Sequence, residues 1–324
     1  MQCLLRWKKQ ASLFRRVFEM DSIKFSDEVK HAQENNIPIV ALESTIITHG
    51  MPYPDNLKTA RLVENSIRKM GVVPATISVM NGLINVGMTD NQLREFSQTR
   101  DSIKLSRADL AICLSSKQTG STTVAATMII AKLTNIEVFA TGGIGGAHPG
   151  SETSFDISAD LYELSKTAVN VVCSGPKAIL DIPKTLEILE SLGVPVITYR
   201  QDHLPAFWSS SSEIKSPFMM DSITEIANSF IYRKKIQLEG GQLIANPVPR
   251  DFEIPQYEIS IHIKEALKEA DANKVVGKNL TPFLLNKIFE KTKGASLQAN
   301  TALIINNAKL AAQLAISLKK LQKA

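Results

Sequence analysis

Short apolar runs of about four to six residues, each followed by a stretch with apolar positions at helical spacing, recur along this chain and leave few folds open to it. Ile37 to Leu42 reads as a buried strand. Asp55 then opens a helix in which Ala60, Val63, Ile67 and Met70 share a face until Gly71 stops it. Thr76 to Met80, Leu110 to Leu114, Val138 to Thr141, Val169 to Cys173, Val194 to Tyr199 and Gln242 to Ala245 are further strand-like runs. Helices are expected from Thr122 to Leu133 and from Pro183 to Leu192, with Gly193 as the stop of the latter. Strands that are apolar throughout must be covered on both faces, which makes the fold α/β. After Gly240-Gly241 and the Gln242 run the chain turns largely helical, and Asn300 to Leu321 carries Leu303, Asn307, Leu310 and Leu314 on one side. The Ser209 to Ser212 run beside Trp208 reads as a mobile loop, either a lid or a surface connection.

The net charge of +5 is uneven. Arg6, Lys8, Lys9, Arg15 and Arg16 against Glu19 place +4 in the first nineteen residues and leave about +1 for the rest, too little to track phosphates on a nucleic acid. Residues 1–22 form a basic leader with Leu4, Leu5, Trp7 and Phe14 among its cations; residues 23–324 form the domain. By composition the leader is either a mitochondrial transit peptide or an extension before a start at Met20, so the expected location is cytoplasmic, with mitochondrial as the alternative. No run approaches the length that crosses a membrane, and no membrane partner is expected. Cys3, Cys113 and Cys173 are widely spaced, giving neither a disulfide framework nor a zinc site.

Ligands collect beyond the carboxyl ends of strands in open α/β sheets, so the residue after each strand-like run is the informative one. Here those positions hold Glu43, the run Thr141-Gly142-Gly143-Ile144-Gly145-Gly146, Lys177 and Asn246. Glu43 interrupts an apolar run and is a candidate proton donor, or else a cap at the strand end. The glycine run lets backbone amides approach an anion, with Thr141 and His148 as possible phosphate contacts; a plain hinge is the alternative. It lacks the dinucleotide fingerprint, because His148 stands where the third glycine belongs. Asp156 and Asp160 are four apart, and a helix would set both on one face, one to hold a hard divalent ion and the other to handle protons. Helix N-terminal acids would explain the spacing as well. Lys177, after a Gly175-Pro176 turn, can attack a carbonyl carbon once it has lost its proton, or can be an exposed turn lysine; Lys104 and Lys117 pose the same question with less support.

Six segments in order carry a specific resemblance: VALESTIITHGMPYP from Val40, TTVAATM from Thr122, FATGGIGG from Phe139, FDISADL from Phe155, LPAF from Leu204 and TPFLL from Thr281. Together they resemble the pseudouridine-5′-phosphate glycosidase family, also called indigoidine synthase A-like. The resemblance implies a three-layer α/β/α sandwich around a mixed, mostly parallel sheet, assembled as a homotrimer. It implies reversible cleavage of pseudouridine 5′-phosphate with water to uracil and ribose 5-phosphate, with Glu43 as proton donor and Lys177 as nucleophile. Asp156 would be the ligand of one Mn²⁺ per subunit, with Mg²⁺ or another divalent ion as substitute. Lys104, Val124 and Ser158-Ala159-Asp160 would touch substrate. The scissile bond joins two carbons, so there is no heteroatom leaving group to protonate, and a lysine imine with ring-opened ribose, with Asp160 moving protons, offers another route. A sensor that binds without turnover, or a glycosidase for a different ribosyl phosphate, would use the same cleft. Pro176 departs from the small residue of many relatives and bears on how Lys177 is aimed.

Overall fold

The computed structural model describes residues 22–275, 277 and 280–323. The leader, apart from Ser22, lies outside the described residues. The strands are β1 (Ile23–Phe25), β2 (Ile39–Leu42), β3 (Val73–Met80), β4 (Leu83–Val86), β5 (Ile103–Leu105), β6 (Gly120–Thr122), β7 (Val138–Ala140), β8 (Asn170–Cys173), β9 (Val196–Tyr199), β10 (Phe218–Met220) and β11 (Gln242–Ala245). The helices are α1 (Asp27–Glu34), α2 (Asp55–Arg68), α3 (Asp90–Ser97), α4 (Arg107–Ser115), α5 (Val124–Leu133), α6 (Ser151–Ser154), α7 (Ala159–Lys166), α8 (Ile182–Ser191), α9 (Ile223–Lys235), α10 (Gln256–Ala272), α11 (Leu280–Lys291) and α12 (Ala295–Lys323).

The sheet runs β1-β4-β3-β2-β7-β8-β11-β9-β10, and β6 pairs β3 while β5 pairs β6. Only β3–β4 and β3–β6 are antiparallel, so the sheet is mixed and mostly parallel as expected. Alternation along each strand builds two cores. Val40, Leu42, Val138, Ala140, Val172 and Ile244 face α2, α9 and the C-terminal helices, while Ala41, Phe139, Val171, Cys173, Leu243 and Ala245 face α5, α7 and α8. That is a three-layer α/β/α sandwich.

Three expectations fail for stated reasons. Leu110 to Leu114, read as a strand, lies inside α4: the Asp109 carboxylate accepts the Ser106 N–H at 2.9 Å and caps the first turn, and Ile112 faces solvent. The Ser209 to Ser212 run is no loose connection. Ser209 and Ser212 are buried, and their hydroxyls donate to the Ile254 and Leu204 carbonyls at 2.8 and 2.7 Å. Finally, α12 does have the length and hydropathy of a membrane crossing, 29 residues with a mean hydropathy of 1.2 over its most apolar window. It lies against β2, β7, β8, α2 and α9 instead, where Leu303, Ala308, Ala311 and Leu314 fill the first core.

Candidate active site

Glu43, Lys104 and Lys177, far apart in sequence, line one cavity of about 70 Å³. They share it with Thr45, His49, Gly142, Gly143, Phe207, Thr281, Leu285, Asn300 and Leu303. The carboxyl ends of the parallel neighbours β2, β7 and β8 fall on one edge and bring Glu43, the glycine run and Lys177 there, while Lys104 comes from β5, which joins the sheet through β6.

Glu43 follows β2 and is 9% exposed. The hydroxyls of Thr45 and Thr141 donate to its two carboxylate oxygens, one each. Thr141 thereby helps to aim the acid. Lys177 is half-buried. Its backbone N–H donates to the Ile144 carbonyl at 3.0 Å, and the Ile144 N–H donates to the Gly175 carbonyl at 3.2 Å. This short parallel pairing of Ile144 with Pro176 ties the lysine to the glycine run. The neighbours of Pro176 supply the bonds, so its missing N–H costs nothing here. Gly175 sits at φ 86°, and a Cβ there would come within 2.5 Å of the Pro205 carbonyl oxygen, so the turn that aims the lysine needs glycine.

The two aspartates do not share a helix face. Helix α7 starts at Ala159, capped by Ser158, whose hydroxyl accepts the Asp160 N–H at 3.2 Å. Asp156 precedes it in extended backbone that pairs back on the glycine run, with the His148 N–H donating to the Asp156 carbonyl and the Ser158 N–H to the Gly146 carbonyl, both at 3.0 Å. Asp160 is buried, its carboxylate accepting the Gly145 N–H at 2.8 Å and the Ala125 N–H at 3.0 Å. It thereby clamps the glycine run to the start of α5. A Cβ at Gly145 would lie 2.9 Å from that carboxylate and 2.2 Å from the Ser158 hydroxyl, so this glycine is set by close packing. Val124 is buried in the second core, which leaves only its backbone for a ligand, and Ala159 is exposed.

His148 is half-buried beside Asp156, Lys104 and Lys177. Burial holds its imidazole below the ordinary range; the two lysines add to this and Asp156 opposes it. Its Nδ1 is buried without a hydrogen-bond partner among the described residues. Asn246 does not reach the cavity: its side chain donates to Asn307 on α12 at 3.0 Å. Lys117 is exposed on a turn. Cys173 is fully buried, and burial pushes its thiol up to about 12, leaving it inert.

His49, Phe207 and Asn300 are among the cavity residues that the sequence did not single out. His49 touches the Thr48 and Ser121 hydroxyls at 2.6 and 3.1 Å, and burial followed by the charge of Lys104 lowers its pKa. Phe207 packs edge-on to Trp208, whose indole N–H donates to the Asn300 side-chain Oδ1 at 2.8 Å. Their nearest signal was membership of the Val40 and Leu204 segments; Asn300 had none.

No three His, Cys, Asp or Glu side chains among the described residues cluster closely enough to cage a metal. A thiolate or multi-histidine site does not fit. One half-buried carboxylate, Asp156, beside a histidine nitrogen without a partner among the described residues is a donor set that fits only a hard divalent ion keeping most of its waters.

The family model for Indigoidine synthase A like protein matches residues 28–317. The pseudouridine-5′-phosphate glycosidase of Jannaschia sp. (strain CCS1) is 56% identical over 296 residues, 91% of this chain and 98% of its own. That of Geobacillus kaustophilus (strain HTA426) is 52% identical over 295 residues, again 91% and 98%. Among solved structures, the prealnumycin C-glycosynthase AlnA in complex with ribulose 5-phosphate superposes with a TM-score of 0.86 at 34% identity, over 94% of this chain and 99% of its own. An indigoidine synthase A-like protein from Thermotoga maritima gives 0.84 at 33% identity, over 92% and 97%.

Proposed function

The chain belongs to the indigoidine synthase A-like family, and on that premise we propose the activity for which its bacterial relatives are named. It is an enzyme, a glycosidase that reversibly cleaves the carbon–carbon bond of pseudouridine 5′-phosphate with water, giving uracil and ribose 5-phosphate. The observation that carries this reading is a carboxylic acid and a lysine amine on the wall of one cavity.

Glu43, protonated, gives its proton to the ring oxygen as the C1′–O bond breaks. The Lys177 amine, having shed its own proton, bonds to C1′. The nitrogen lone pair then forms the imine while the C1′–C5 bond breaks, its electrons leaving with uracil as C5 takes a proton. Water adds to the imine carbon and returns free amine and ribose 5-phosphate. Lys104 and His148 meet the phosphate, and the backbone at Val124 and Ser158-Ala159-Asp160 borders the ligand. Asp160 accepts the Gly145 amide of the glycine run and the Ala125 amide of α5, and moving a proton itself would require one of those bonds to open.

Asp156 would hold one Mn²⁺ per subunit, or Mg²⁺ in its place; when bound, the ion supplies positive charge to substrate oxygens. We assign the chain a homotrimer, as the family resemblance implies, and a soluble, cytoplasmic setting, which its likeness to bacterial enzymes and the core position of α12 support. Light scattering of the purified protein tests the trimer.

The experiment is uracil release from pseudouridine 5′-phosphate and from unphosphorylated pseudouridine, with and without chelator. Release from the phosphorylated compound, lowered by chelator and restored by Mn²⁺, is expected. Binding without release would make the protein a sensor, and activity only on another ribosyl phosphate would move it toward the C-glycosynthase AlnA.

A further inference from the structure

We propose that Asn307 is a positioning residue for this reaction: from behind the cavity it fixes Glu43 and Lys177 relative to one another. The proposal rests on the glycosidase reading above. Asn307 is fully buried in the otherwise apolar stripe of α12 and is absent from the cavity wall. An amide buried there without partners would be strongly destabilising, and an aliphatic side chain would serve packing alone. Its amide is instead fully engaged. The Nδ2 group donates to the Thr141 carbonyl at 2.9 Å, to the Ser174 hydroxyl at 3.1 Å and, at the long limit of 3.4 Å, to the Gly142 carbonyl. The Oδ1 atom accepts from Asn246 at 3.0 Å and lies 3.4 Å from the Ser174 hydroxyl.

Thr141, Ser174 and Asn246 directly follow β7, β8 and β11, three consecutive strands of the sheet. One side chain thus pins three strand ends, and two of them lead to the reacting groups. Thr141 carries on through its hydroxyl to the Glu43 carboxylate. Ser174 carries on through the left-handed Gly175 to Lys177. The separation of acid and amine is set where both lines meet.

The test compares steady-state kinetics and melting temperature of Asn307→Asp with those of Asn170→Asp. The first keeps the volume but turns a donor into an acceptor against two carbonyls. Asn170 lies at the other end of β8, buried, donating to the Glu137 carbonyl at 3.0 Å, and so reports the cost of a similar change far from the cavity. Asn307→Asp is expected to lower kcat about 10- to 100-fold, the scale of a displacement near 1 Å, with KM within about twofold of wild type. Asn170→Asp is expected to lose comparable thermal stability and keep kcat. Unchanged kcat in Asn307→Asp, a change in KM alone, or equal kcat losses in the two variants overturns the proposal. If Asn307→Asp does not fold, Ser174→Ala removes the lysine branch of the hub; a several-fold fall in kcat is then expected, and full kcat overturns the proposal. Wild-type protein that releases no uracil removes the glycosidase reading and this role with it. An active wild type beside an unaffected Asn307 variant removes this role alone.

Discussion

On the floor of the cavity the residues that follow β2, β7 and β8 are fixed by hydrogen bonds shielded from solvent, from side chains and backbone alike, whereas over the roof α10 and α11 carry ion pairs to each other in contact with solvent. Glu43 is gripped by two threonine hydroxyls, the Lys177 turn by Ile144, and the glycine run by Asp160. The roof offers the cavity Thr281, Pro282 and Leu285. Its helices bury only Ile259, Ala266 and Ala270 on one side and Leu284 and Ile288 on the other. Lys291 pairs with Glu265 and Glu269 at 3.0 and 2.9 Å, within the hairpin and not onto the body. Bonds shielded from water hold a geometry; exposed pairs are screened and hold little. The cavity, at about 70 Å³, is well below the roughly 300 Å³ at which small-molecule pockets begin. A second cavity of about 250 Å³ shares His49, Met51, Pro282, Leu285 and Asn300 with it, so the space beneath the roof is larger than this one pocket.

The contrast breaks most readily on the floor. Lys177→Ala should lower kcat by on the order of 10³-fold or more, as expected when a covalent nucleophile is lost, with the melting temperature nearly unchanged; normal turnover in that variant removes the imine route. Glu43→Gln keeps both hydroxyl contacts possible but removes the proton, and a kcat loss of about 10²-fold or more is expected. A variant that lost stability instead of rate would recast Glu43 as a strut.

On the cavity wall the expected effect is smaller and depends on pH. Burial, reinforced by Lys104 and opposed by a bond to the Ser102 backbone, holds His49 below the ordinary imidazole value. The unfolded chain therefore takes up a proton that the folded one resists. The associated stability is complete above about pH 6.5 and is lost as pH falls below it toward the folded value. His49→Gln should flatten the decline in melting temperature between about pH 7 and 5, though not fully, because His148 is shifted the same way. An identical slope in wild type and variant would sink the assignment. Smallest of all, Lys291→Ala on the roof should leave kcat and melting temperature close to wild type; a large loss in either would show that the hairpin is as firmly built as the floor.

The floor was also the more legible part of the sequence. Strands β2, β3, β7, β8, β9 and β11 stand out as apolar runs because both their faces are covered. The three-residue strands β5 and β6, Ile-Lys-Leu and Gly-Ser-Thr, carry no such run and exist through their neighbours. Leu110 to Leu114 misled because a short apolar stretch has no period of its own, and the Ser106–Asp109 cap decided for helix. Glu43 and Lys177 could be found from strand ends alone. What Thr141 and Asp160 bond to could not, since their partners are set by strand order and by where α7 begins. Asn307 was visible only as a polar interruption of an apolar face, a signal that acquires meaning once three strand ends are seen to meet there.

Borohydride reduction in the presence of ribose 5-phosphate, followed by peptide mass spectrometry, tests the central claim most directly. The account predicts one reduced pentose phosphate adduct, located on Lys177 and absent from Lys177→Ala. An adduct on Lys104, or none in protein that is releasing uracil, would contradict it.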